Sequence, residues 1–244
     1  PVSTRDDFYN KVVKVSPGDI KNIWLSNSGT EANEAAIKFA RHATQRSQII
    51  STKQAFHGRT MGSLSATWKP IYKKGFEPLI SDVDFVKFGD AESLTDSISE
   101  DTAAVIVEPI QGEGGDNHFR PQYMKNLQKT AHDIGALFIV DEVQTGVGGT
   151  GKMWAFEHHG IEPDMLAFGK KMQICGFMSN DRVCENDDNV FNTSSRINST
   201  FGGNLIDMVR GATILEVIEE EKLLDNAAKV GDYLLAGLHE MQRK

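Results

Sequence analysis

An acid that closes an apolar run, and a paired lysine about thirty residues later, are the residues of this sequence that most directly suggest chemistry. Ala136-Leu137-Phe138-Ile139-Val140 is uninterrupted by polar residues and gives way to Asp141-Glu142-Val143-Gln144-Thr145-Gly146. Such a run reads as an interior parallel strand delivering a carboxylate to the carboxyl edge of a sheet, where α/β proteins hold their ligands. Met165-Leu166-Ala167-Phe168 is a second apolar stretch, followed by Gly169-Lys170-Lys171-Met172. A second strand would bring an amine to the same edge, so an acid and an amine would share one cofactor.

Three further turns carry candidate groups. Asn22-Ile23-Trp24-Leu25 leads into Ser26-Asn27-Ser28-Gly29-Thr30-Glu31, ahead of an alanine-rich helix from Ala32 to His42. This turn could offer free N–H groups and a positive helix end to a phosphate. Ser28 or Thr30 acting as a plain N-cap accounts for the same residues. The strand Gln48 to Ser51 leads to Ala55-Phe56-His57-Gly58-Arg59-Thr60, where an aromatic ring could stack on a flat ligand and a guanidinium could bind a carboxylate. The alternative is a core aromatic beside a surface arginine. Ala103-Ala104-Val105-Ile106-Val107 ends in Glu108-Pro109-Ile110-Gln111-Gly112-Glu113-Gly114-Gly115-Asp116, either a site loop or a turn with solvated acids.

The elements that must position these groups alternate along the chain. Helical spacing runs over 6–15, 90–99, 122–134, 205–221 and 223–238, and residues 83–88 alternate like a strand. Residues 61–80 read as loop and irregular helix, and the pattern loosens after Lys170 through 179–198. Strands alternating with helices over 22–168 imply βαβ units, hence an α/β fold with a mainly parallel central sheet flanked by helices. A chain of 244 residues can bury one large core, or one domain and part of another. With 26 basic and 34 acidic residues it carries a formal charge of −8, which argues against a nucleic-acid surface. Cys175 and Cys184 form neither a zinc pattern nor a disulfide framework, so no metal is expected and a reducing compartment is. No apolar stretch approaches about 18 residues and no signal peptide opens the chain, so the expectation is a cytoplasmic protein without a membrane partner. The missing initiator methionine and the helical pattern at Met241-Gln242-Arg243-Lys244 suggest a fragment.

Gly146-Val147-Gly148-Gly149-Thr150-Gly151-Lys152 imitates a phosphate-binding P-loop, and Phe138 to Glu142 a Mg²⁺-binding strand. Met153 stands where a hydroxyl should meet the metal, and the acidic strand runs straight into the glycine loop. A nucleotide hydrolase is therefore disfavoured.

Taken together, SGTEANE, AFHGR, EPIQGEGGD, DEVQTG, GKK and NSTFGGN, in this order and at these intervals, resemble the class III pyridoxal-phosphate aminotransferases over nearly the whole chain. The resemblance implies a fold type I, aspartate-aminotransferase-like large domain over 1–220, N-terminally incomplete, and the start of a C-terminal small domain over 221–244. It also implies a homodimer with active sites at the subunit interface, and transfer of amino groups between ω-amines and 2-oxo acids. It assigns pyridoxal 5′-phosphate as cofactor and Lys170 as the Schiff-base residue, with Lys171 an adjacent alternative that sequence chemistry does not separate. Asp141 should pair with the pyridine nitrogen, Val143 pack under the ring, Gln144 approach the phenolic oxygen and Phe56 stack on the other face. Ser28, Gly29 and Thr30 belong to the phosphate turn, and Thr200 reaches the partner subunit's phosphate. Arg59 matches a substrate-carboxylate arginine. Glu113 matches a glutamate that pairs with a second arginine, which should lie in a C-terminal domain that this chain lacks. Within the family, residues 114–121, 170–176 and 196–200 look most like L-lysine 6-aminotransferase, and 149–158 as much like 4-aminobutyrate aminotransferase. SGTEANE is shared with acetylornithine and ornithine enzymes. No iron–sulfur cluster is expected near Ser26 to Ser28. A truncated, non-catalytic dimerising module is the alternative from a different class.

Overall fold

The computed structural model describes residues 2–87, 89–193 and 195–243. In chain order the elements are α1 (Val2–Val15), β1 (Asn22–Ser26), α2 (Gly29–Thr44), β2 (Gln48–Thr52), α3 (Met61–Ser65), α4 (Pro70–Lys73), β3 (Val83–Val86), α5 (Ala91–Ser97), β4 (Thr102–Val107), β5 (Ile110–Gln111), β6 (Asn117–His118), α6 (Pro121–Asp133), β7 (Leu137–Asp141), β8 (Met165–Phe168), β9 (Cys175–Ser179), α7 (Leu205–Glu220) and α8 (Leu223–Gln242). Seven strands form the central sheet in the order β1-β9-β8-β7-β4-β2-β3. β9 is antiparallel to both its neighbours, and the other pairs are parallel. The mainly parallel sheet expected from the alternating pattern is therefore present.

Because strand side chains alternate between faces, each strand feeds two cores. Leu137 and Ile139 of β7 pack with Ala104, Met165 and Ala167 beneath α2. Phe138 and Val140 pack with Val105, Leu166 and Phe168 on the opposite face, against α1, α6 and α7. The α2 helix starts at its cap, Ser28, whose backbone is extended (φ −152°) and whose Oγ accepts the Glu31 N–H. Its buried stripe of Ala32, Ala35, Ala36 and Ala40 lets the helix axis approach the sheet closely. Phe39 then fills the space between Trp24, Phe177 and Phe191, with ring centroids 6.2, 4.7 and 5.2 Å away.

The structure corrects three sequence expectations. The strand expected at 136–140 spans Leu137–Asp141, so Asp141 is itself a strand residue, paired with Ala167. Residues 175–179, taken as the approach to an irregular stretch, form β9 between β1 and β8. Gly176 disguises this strand, yet it is required there, because a Cβ would lie 2.2 Å from the Trp24 carbonyl oxygen. The strand expected at 83–88 ends at Val86, and its last residue, Phe88, lies outside the described residues. The P-loop look-alike leads only into a single 3₁₀ turn, Ala155–His158, and Lys152 Nζ donates to the Glu157 carbonyl at 3.1 Å. That segment lacks the long helix whose N-terminus would cradle a phosphate. Among the described residues no helix is long and apolar enough to cross a membrane.

Phe39 is 1% exposed at the junction of α2 and the sheet. Phe39→Ala should lower stability by about 3–5 kcal/mol. Urea unfolding measures this directly, and a loss under about 1 kcal/mol would contradict the packing described.

Candidate active site

Asp141 ends β7 on the α2 side of the sheet and is 5% exposed. Its Oδ2 accepts from Asn33 Nδ2 at 2.6 Å and meets His57 Nδ1 at 2.8 Å, and its Oδ1 accepts the Val143 N–H at 3.0 Å. The same Asn33 amide donates to the His57 carbonyl at 2.8 Å, so one α2 side chain fixes both the acid and the turn after β2. The three contacts to Asp141 take the place of water around its buried carboxyl group. Two buried polar atoms beside it have no protein partner, Asn33 Oδ1 and His57 Nε2. Both residues line a cavity of about 460 Å³ with Gly29, Thr30, Phe56, Arg59, Glu108, Glu113, Asp141, Val143, Gln144 and Lys170.

The two lysines left unresolved by sequence separate in space. Lys170 lines the cavity and its Nζ donates to Gln144 Oε1. Lys171 turns away, donating to the carbonyls of Gln144 and of Gly146, the latter at 3.0 Å. Partial desolvation lowers its pKa, with Glu142 opposing and the charge of Lys170 acting in the same direction as the burial. Val143 occupies a slot walled by glycines: a Cβ on Gly29 would lie 2.5 Å from Val143 Cγ1, and one on Gly169 3.3 Å from the same atom.

At the start of α2 the two readings of the turn divide by residue. Ser28 is the cap, outside the cavity lining, and Glu31 Oε2 accepts the Asn27 N–H at 2.8 Å and the Ser28 hydroxyl at 3.2 Å. The Thr30 hydroxyl is also committed, accepting the N–H groups of Arg59 and Thr60 at 2.8 and 3.1 Å. Gly29 and Thr30 still face the cavity, and their first-turn N–H groups have no helical carbonyl to donate to. An anion held there would meet these backbone N–H groups.

Across the cavity, Arg59 lies over the rings of Phe56 and Tyr72, 5.5 and 4.7 Å from their centroids. Neither Arg59 nor Glu113 has an ion-pair partner among the described residues. Lys69 Nζ donates to the Glu113 carbonyl. Thr200 is exposed and outside the cavity lining, on a loop tied to this turn by Asn27 Nδ2 donating to Ser199 Oγ at 2.9 Å. Among the described residues no cluster of His, Cys, Asp or Glu suits a metal ion.

The family model "Aminotransferase class-III" matches residues 3–244. The chain belongs to the class III aminotransferase family. The LysW-aminoadipate semialdehyde/glutamate semialdehyde transaminase of Sulfurisphaera tokodaii is 41% identical over 240 residues, covering 97% of this chain and 60% of that protein. The acetylornithine aminotransferase of Archaeoglobus fulgidus is 44% identical over 225 residues, covering 89% and 58%. Among solved structures, lysine aminotransferase from M. tuberculosis superposes with a TM-score of 0.91 at 37% identity, covering 98% of this chain and 62% of that one. The class III chain described here thus spans about 60% of the length of these relatives.

The sequence alone gave no role to Asn33, His57 or Glu108, and offered Lys171 only as an alternative to Lys170. Asn33 did carry a signal, because it shares a helix face with Ala36, Ile37 and Ala40, where an unpaired amide would be costly. Glu142 had none beyond adjacency to Asp141. Pointing to the opposite face, it accepts the Phe156 N–H at 2.7 Å and the Thr145 hydroxyl, and burial pushes it up to about 7 against hydrogen bonds that pull it down. Because the folded value exceeds the unfolded one, its contribution to stability is complete below about pH 4.5 and is lost as pH rises through about 7. Glu142→Gln should remove that fall, on the order of 1–3 kcal/mol. Urea unfolding between pH 4.5 and 8 reads it, and an equal fall in the variant would contradict the assignment.

Proposed function

We propose that the protein carrying this chain is a pyridoxal-phosphate-dependent aminotransferase. It moves the terminal amino group of an ω-amino acid to a 2-oxo acid in two half-reactions. The observation that carries this reading is the meeting of Asp141 and Lys170 in one cavity with an aromatic ring and a helix N-terminus. The cofactor fits these residues chemically, since the cavity offers a fixed carboxylate, an amine, apolar and aromatic faces, and unpaired N–H groups. The partnerless Asn33 Oδ1 and His57 Nε2 beside Asp141 support a site built around a missing polar group.

When bound, pyridoxal phosphate supplies an electron sink for proton transfer at the amine-bearing carbon of the substrate. Asp141, fixed by Asn33, His57 and the Val143 N–H, would be the partner for the ring nitrogen. Val143 and Phe56 would hold the two faces of the ring, and Gln144 would serve its phenolic oxygen. The N–H groups of Gly29 and Thr30 would hold the phosphate, with Ser28 shaping their turn, and Thr200 would serve the phosphate site of a second copy in a homodimer. Lys170 would hold the cofactor through its Nζ, and the same amine would move the proton at the amine-bearing carbon of the substrate. Arg59 binds a substrate carboxylate, and Glu113 pairs with an arginine of a C-terminal domain. Residues 1–220 are the cofactor-binding domain and 221–244 begin another, a division supported by α8, which buries no residue. A reducing, cytoplasmic setting suits the two free cysteines.

L-Lysine with 2-oxoglutarate is the favoured pair, supported by the likeness to lysine aminotransferase from M. tuberculosis. The names of the 41–44% identical relatives favour a second reading, with acetylornithine or a donor related to the LysW-bound semialdehydes. A donor panel that adds ornithine and 4-aminobutyrate to these separates them.

Borohydride reduction of the cofactor-loaded protein should label the peptide at Lys170, in wild type and Lys171→Ala but not in Lys170→Ala. Labelling at Lys171, or none, overturns the assignment. Arg59→Ala should raise KM for the carboxylate substrate about tenfold or more while the cofactor's absorption stays as in wild type. An unchanged KM would contradict the role of Arg59.

A further inference from the structure

Glu108 is a charged group of the cavity to which the proposed reaction gives no task. It directly follows β4, is 6% exposed and lines the cavity. Its Oε1 accepts the Phe56 N–H at 2.9 Å, and its carboxyl faces the Gly112 N–H as well. Those amides belong to two separate loops. Phe56 opens the turn that ends in Arg59, and Gly112 directly precedes Glu113. Gly112 is also the seat of Gln144, since a Cβ there would lie 2.4 Å from Gln144 Nε2, and Gln144 in turn accepts from Lys170. One buried carboxyl thereby links the carrier of Arg59 to the carrier of Glu113.

Resting on the aminotransferase reading, we propose that Glu108 is a positioning residue that ties the Phe56–Arg59 turn to the Gly112–Glu113 turn. It thereby sets the spacing between Arg59, the group for a substrate carboxylate, and Glu113, the partner of the second arginine. A carboxylate accepts an N–H about twice as strongly as a neutral acid does, so ionisation tightens the tie. Burial pushes Glu108 up to about 7; His57 and the two backbone N–H groups pull it down, and Asp141 pushes it further up. His57 faces it from the turn after β2 and Asp141 from β7, and Lys170, Arg59 and Glu113 line the same cavity. His159 meets the Pro109 backbone behind it. The tie therefore engages as pH rises through neutrality. The 108–117 segment has a separate anchor in Gln111, whose Nε2 donates to Thr52 Oγ1 and the Lys53 carbonyl, both at 2.9 Å. A change at Glu108 thus leaves the loop attached to β2.

The test follows the backbone amide resonances of Phe56 and Gly112 from pH 5 to 9 in the cofactor-free protein. Both should inflect together near pH 7 in wild type, and neither should in Glu108→Gln, which keeps the shape but not the charge. An inflection that persists in Glu108→Gln at the same midpoint belongs to a group other than Glu108 and overturns the proposal, as does a wild type in which the two amides move independently. In the cofactor-loaded protein, Glu108→Ala should weaken binding of glutarate, an unreactive dicarboxylate, by about tenfold at pH 8, the loss of a charge-assisted tie. Equal glutarate affinity in wild type and Glu108→Ala also overturns it. A wild type that takes up no pyridoxal phosphate sinks the aminotransferase reading, while the amide titration still decides the tie.

Discussion

The carboxylate of Asp141 is the constraint on which the rest of the site depends. An anion at 5% exposure is tolerated only where several donors replace water, and here they come from three parts of the chain: Asn33 on α2, His57 after β2, and the Val143 N–H just beyond β7. Each donor imposes a demand on its element. Asn33 must come close to the sheet edge, which the alanine stripe of α2 allows. His57 must turn inward, and Thr67 Oγ1 holds its backbone N–H at 3.0 Å to do so. Val143 must fold back under its own strand end, into the slot left by Gly29 and Gly169.

Strand alternation then divides the acid pair. Asp141 faces α2 and the cavity, whereas Glu142 faces the opposite core and holds the Phe156 backbone and Thr145. The same economy governs the lysine pair, where one side chain enters the cavity and the other clamps the loop that follows β7. In both pairs adjacent residues of like charge serve different ends because the backbone turns them apart. The cavity acquires one acid and one amine while its walls acquire the other two groups as fastenings.

Much of this was legible in the sequence, and the reasons are specific. The apolar runs before Asp141 and Lys170 announce buried strands ending in polar residues, and the six-motif order announces the family that the match over residues 3–244 bears out. β9 was illegible because Gly176 interrupts its pattern, although the close approach of the Trp24 carbonyl makes that glycine a condition of the strand. Lys170 and Lys171 were inseparable because the difference lies in a backbone turn, not in composition. The part played by Asn33 needed the partner 108 residues away that only the folded chain supplies.

The central proposal is that this arrangement presents the Asp141 side chain to the ring nitrogen of the cofactor. Loading the protein with pyridoxal phosphate labelled with ¹⁵N in the ring, and reading that nitrogen by NMR in wild type and in Asp141→Asn, tests it most directly. The account predicts a protonated ring nitrogen in wild type, stable over the pH range in which the protein is folded, and an unprotonated one in Asp141→Asn. The same nitrogen shift in both proteins would contradict it.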